Sequence, residues 1–195
     1  EGKTFISANL AITFAQNGFK TLIMNLDMRR PRLEKMFGIT RKYKMGIVNH
    51  LAKNVPLEEV IVNYMENLDI IPVGPLPPNP TILFTNPKFT GIMRYLKERY
   101  DKILIDLPPL MAAADALIVG KHSDGILLVV RIAKSHKMSV RIAYNNIEVS
   151  GNKLLGVVLN DITRKSSKYY YYYYYYYYED GKRRKQRIKK AREMR

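Results

Sequence analysis

The chain has 195 residues, 47% of them hydrophobic, with no Cys and a formal net charge of +16. That length holds one domain with a real core, or one domain and a tail, and the lack of Cys excludes a disulfide scaffold and a Cys-based zinc site. No two of His50, His122 and His136 are spaced as metal ligands, no apolar run reaches the roughly 18 to 20 residues of a membrane span, and no signal peptide opens the chain.

Residues 4–17, TFISANLAITFAQN, read as a helix whose apolar positions spread widely around its axis, with Gly18 placed to end it. KTLIMNL, 20–26, reads as a buried strand. Residues 28–66 read mostly as short helices and turns. DIIPV, 69–73, is a further strand, which Pro72 marks as peripheral. GPLPPNP, 74–80, is a stiff turn segment that cannot enter a helix interior. The helix expected over 88–100 places Phe89, Ile92, Met93 and Leu96 on one face. Strands are expected at 102–107, 125–131 and 154–160, with helices at 112–121 and 137–150 between them.

The strands are continuously apolar rather than alternating, and helices separate most of them. That is the pattern of an α/β fold with a mainly parallel sheet covered by helices on both faces. Residues 1–163 form the domain. Residues 164–195 are a flexible tail with ten consecutive Tyr and twelve Lys or Arg against three acids.

Three elements carry chemistry. Gly2-Lys3-Thr4 matches the last three positions of G-x-x-x-x-G-K-[ST], the P-loop of nucleotide triphosphatases. Gly2 admits close backbone approach to phosphate, the Lys3 ammonium reaches the outer phosphates, and the Thr4 hydroxyl suits Mg²⁺. The pattern places a first strand and the start of the loop ahead of Glu1. Asp106 ends a hydrophobic strand at its carboxyl edge, where ligands of parallel sheets bind, and is the candidate metal-holding acid. LIMNLDMRRP, 22–31, leaves another strand end with Asp27 and Arg29. Asp27 is a candidate metal or water orienter or proton acceptor. Arg29 is a candidate for binding phosphate or pairing with Asp27.

In this order the elements resemble the bacterial tyrosine kinases of capsule and exopolysaccharide synthesis, a branch of the MinD and ParA group of P-loop ATPases. EGKTFISANLAITFAQNGFKTLIMNLDMRRP is similar to their Walker A and A′ segments, GPLPPNP to their G-x-x-P-P-N-P stretch, and YDKILIDLPPL to their Walker B. DGILLVVR and LLGVVLN resemble their last two core strands, and the tyrosine cluster is their most distinctive feature.

The resemblance implies ATP and Mg²⁺ as cofactors. Gly2, Lys3 and Thr4 then hold phosphate, Thr4, Asp27 and Asp106 hold the metal, and Asn160 lies where base contacts are expected. The implied phosphoacceptors are Tyr169, Tyr170, Tyr171, Tyr172, Tyr173, Tyr174, Tyr175, Tyr176, Tyr177 and Tyr178. It further implies a cytoplasmic domain at the inner face of the cell membrane, a membrane activator of the polysaccharide co-polymerase type, a homo-oligomer and a cognate tyrosine phosphatase. A nucleic-acid role for the tail has only its charge in favour. Two positions depart from the pattern: Asn25 stands where the family usually has the first Asp of D-x-D, and Ile82 where an acid is common. They keep two other readings open, a MinD/ParA-type ATPase switch and a catalytically weakened nucleotide-binding regulator.

Overall fold

The structure, a computed structural model, describes residues 1–39, 45–132 and 134–162. Its elements in chain order are α1 (Lys3–Gln16), β1 (Thr21–Asn25), α2 (Leu33–Met36), α3 (Ile47–Lys53), α4 (Leu57–Val60), β2 (Val62–Met65) and β3 (Leu68–Ile71). There follow α5 (Pro80–Thr85), α6 (Pro87–Lys97), β4 (Lys102–Asp106), α7 (Asp115–Gly120), β5 (Ile126–Arg131), α8 (Lys137–Val149) and β6 (Leu154–Asn160).

Four strands form one sheet in the order β2-β3-β1-β4, and β5 and β6 pair separately in parallel. β1 runs parallel to both β3 and β4, while β2 is antiparallel to β3. The central strands are mostly apolar because both faces are covered. Leu22, Met24 and Ile71 join Phe84, Phe89, Ile92, Met93 and Leu96 from α5 and α6 in one core cluster. Ile23, Leu68 and Ile70 point the other way, onto Ala8, Ala11 and Ala15 of α1. Small side chains on that helix face let it lie close over the sheet.

Local signals act as expected at the helix ends. Gly18 adopts φ +83° just past α1, the left-handed conformation that lets the chain turn into β1. Asn86 caps α6 by accepting from the Lys88 amide at 2.9 Å, with Pro87 at the first helical position. Phe89, Ile92, Met93 and Leu96 are all buried, as their spacing predicts. Burying each such side chain contributes about 1.5–3 kcal/mol.

Two expectations need correction. The strand at 68–71 is interior, between β2 and β1, not peripheral. It ends at Ile71, so Pro72 lies beyond the ladder and its missing N–H breaks nothing, while its carbonyl accepts from the Ile47 amide. The stretch expected to hold mostly short helices and turns also contains β2, which folds back on β3 through Glu66 and Asn67, the latter at φ +60°. β6 differs in detail: Leu155, Val157 and Leu159 alternate outward and stay exposed among the described residues. The region 164–195, with its Tyr run, lies outside the described residues.

Candidate nucleotide site

The site is assembled at the carboxyl edge of β1 and β4, with the start of α1 beside it. Asn25 and Asp106 are register partners on the two strands, and the Leu26 amide donates to the Asp106 carbonyl at 2.8 Å. This places the two strand ends, and the acids that leave them, together.

Gly2 precedes α1 at φ +95°. A Cβ there would meet Asn160 Nδ2 at 2.1 Å, so only Gly fits beneath the end of β6. Asn160 Nδ2 donates to the Glu1 carbonyl at 2.9 Å, which brings this residue against the same loop. The Lys3 ammonium is held by the Glu1 carboxylate at 2.9 Å. That contact is partly solvated, and a phosphate would compete for it.

Asp106 is 1% exposed, and neither of its carboxylate oxygens has a hydrogen-bond partner among the described residues. Burial pushes its carboxyl up from the ordinary 3.8 to about 6. The Thr4 hydroxyl is near enough to draw it back without making a hydrogen bond to either oxygen. The Asp27 and Glu34 charges raise it further and the Lys3 ammonium lowers it. A buried carboxylate left without partners is costly. An added cation or a donor would relieve it.

Asp27 leaves β1 with its Oδ1 accepting from the Arg29 and Arg30 amides at 3.2 and 2.9 Å. Those amides do not use Oδ2. Pairing of the Arg29 side chain with Asp27, one of its two candidate roles, is not made. The Arg29 guanidinium instead reaches Asp115 Oδ2 at 3.4 Å, and Thr81 donates to Asp115 Oδ1 at 2.8 Å. Asp115 is buried at the start of α7, so it offers Arg29 the stronger field.

The structure therefore brings Gly2, Lys3, Thr4, Asp27, Asp106 and Asn160 to one edge and turns Arg29 aside. It also adds residues that sequence reasoning missed. Glu34 accepts from Asn25 Nδ2 at 2.7 Å, and Asp115 and Thr81 tie the segment after β1 to α5 and α7. The one signal for Asp115 was an acid inside an apolar run, AAADALIV. Of the three His, His50 bonds to the Val55 carbonyl and His122 packs edge-on against Phe89, as packing residues do.

Residues 1–150 match the AAA domain family. The tyrosine-protein kinase CpsD of Streptococcus agalactiae serotype Ia is 36% identical over 164 residues, 84% of this chain and 70% of that protein. The crystal structure of the chimerical protein CapA2B2 superposes with a TM-score of 0.79 at 35% identity, covering 84% of this chain and 72% of that one. The septum site-determining protein MinD of Pyrococcus horikoshii, solved with Mg-ADP, gives a TM-score of 0.69 at 27% identity, over 86% of this chain and 67% of its own. The P-loop α/β fold, the converged strand ends and these likenesses agree: the chain belongs to the bacterial tyrosine-kinase family, within the MinD/ParA-like group of P-loop ATPases.

Proposed function

We propose that this protein is an ATP-dependent protein-tyrosine kinase that phosphorylates its own tyrosine cluster, 169–178, and thereby regulates capsule or exopolysaccharide synthesis and export. The observation that carries the reading is Asp106: a buried carboxylate with no hydrogen-bond partner among the described residues, beside the Thr4 hydroxyl at the start of a fourteen-residue helix. Such a pair suits Mg²⁺, which needs only one or two protein oxygens when phosphates supply the rest. Among the described residues no group of three or more His, Cys, Asp or Glu is arranged to hold a metal alone, in keeping with a site completed by nucleotide.

In this reading Thr4 and Asp106 hold Mg²⁺, with Asp27 as a further orienter. The metal, when bound, neutralises charge on the transferring phosphoryl. The Gly2 turn and the N-terminal amides of α1 bind phosphate, and Lys3 exchanges its contact with Glu1 for the outer phosphates. Asn160, lying over Gly2, borders the nucleotide. Asp27 Oδ2 is the remaining oxygen that could accept the proton of a tyrosine hydroxyl, with Oδ1 fixed by two amides. Arg29 supports the loop through Asp115 rather than binding phosphate. The partners this function requires are a membrane activator of the co-polymerase type, further copies of the kinase, and a phosphatase that resets the tail. No helix among the described residues is long and apolar enough to cross a membrane.

Asn25 supports a second reading, a nucleotide-binding regulator with weakened phosphotransfer, because its amide cannot take a proton as a carboxylate does. Phosphotransfer to a Tyr-rich peptide, measured with the membrane activator present for wild type, K3A and D27A, separates the two. The kinase reading expects transfer that both substitutions reduce. Nucleotide binding with no transfer would support the regulator.

A further inference from the structure

Asn25 is fully buried, and both ends of its amide are used. Nδ2 donates to Glu34 Oε2 at 2.7 Å, and Oδ1 accepts from the Asp27 amide at 3.1 Å. Glu34, in the first turn of α2, is itself anchored: its Oε1 accepts from the Val73 amide at 2.8 Å, just past β3. One carboxylate thus clamps the ends of two neighbouring strands, β1 and β3. It also fixes which way the Asn25 amide faces. With Nδ2 claimed by Glu34, Oδ1 is the atom left for Asp27, and the Asp27 backbone sets where that carboxylate leaves the strand.

Asn is dictated here by its partner. An Asp at position 25 would set a carboxylate oxygen where Nδ2 now donates, 2.7 Å from Glu34 Oε2, with no hydrogen between them. A buried charge and a part-buried like charge at that separation repel strongly. An Asn–Glu pair and an Asp–Gln pair each make one N–H···O bond in the same place, and they differ only in which residue bears the charge.

We propose that Glu34 is a positioning residue of the nucleotide site, paired with Asn25 so that the acidic charge at the end of β1 is supplied from α2 rather than from the strand. It acts through Asn25 on Asp27, and its charge lies in the field of Asp106. The positioning role rests on the nucleotide-binding reading above, whereas the pairing itself does not.

The test is a double-mutant cycle, in the protein with its complete phosphate-binding loop, on N25D, E34Q and N25D/E34Q. Two quantities are read: the unfolding equilibrium in urea without ligand, and the affinity for ADP with and without Mg²⁺. N25D is expected to weaken folding and to reduce the gain in ADP affinity that Mg²⁺ brings. E34Q in the same chain is expected to restore both, with a coupling of about tenfold in each. A purely structural clamp would restore folding without restoring the Mg²⁺ effect, and that outcome overturns the positioning role. Additive effects in both quantities overturn the pairing. If wild type binds no ADP at all, the nucleotide reading fails and the positioning role with it, while coupling in the unfolding equilibrium alone still decides the pairing.

Discussion

Replacing Asp106 with Asn should change how stability depends on pH. The carboxyl is raised from 3.8 to about 6, chiefly by burial. A raised carboxyl means that the fold favours the neutral form. Its contribution is fully present below pH 3.8 and is lost as pH rises through about 6. Some two pH units at about 1.4 kcal/mol each amount to ~3 kcal/mol. The site therefore costs the folded protein about 3 kcal/mol at neutral pH when no cation is bound. The assay is urea unfolding of wild type and D106N in chelator-containing buffer from pH 3.5 to 8. The wild-type free energy minus that of D106N should fall by ~3 kcal/mol across that range, with most of the change between pH 4 and 6. Groups that do not interact with Asp106 cancel in the difference. A flat difference curve would refute the reasoning, since it would mean that Asp106 is solvated or already partnered.

Other substitutions probe the frame around the site. R29A leaves the buried Asp115 carboxylate with Thr81 as its remaining partner and should cost about 1–3 kcal/mol of unfolding free energy. D115N in the R29A background should recover part of that, because it removes the stranded charge. G2A forces a side chain into a left-handed turn and against Asn160. It should cost ~1–2 kcal/mol in denaturant unfolding and weaken nucleotide affinity in calorimetry. F89A removes a fully buried ring that packs edge-on against Phe84 and should cost about 3–5 kcal/mol.

The parts of the molecule legible in the sequence are those governed by long periodic segments and strand ends. The helix at 87–97 could be read because four apolar residues repeat at helical spacing, and Asp27 and Asp106 could be placed because each follows an apolar strand. β2 has only four residues, too short for a period, and its one local clue was Asn67, which takes the left-handed turn back into β3. Pro72 misled because its effect depends on whether it lies inside the ladder or one residue past it. Asn25 stood out as a departure, but its partner did not. Glu34 sits nine residues later in a four-residue helix, and only the folded chain brings it to the strand end. Arg29 was a candidate for phosphate or for Asp27, and a buried acid 86 positions away holds it.

A self-phosphorylating kinase transfers the γ-phosphoryl group of ATP to its own tyrosines. Intact-mass analysis after incubation with ATP and Mg²⁺, with the membrane activator present, tests it most directly. Mass gains in steps of one phosphoryl group, mapping to residues 169–178 and absent from K3A, are expected. Release of ADP with the protein mass unchanged would contradict it and favour an ATPase switch.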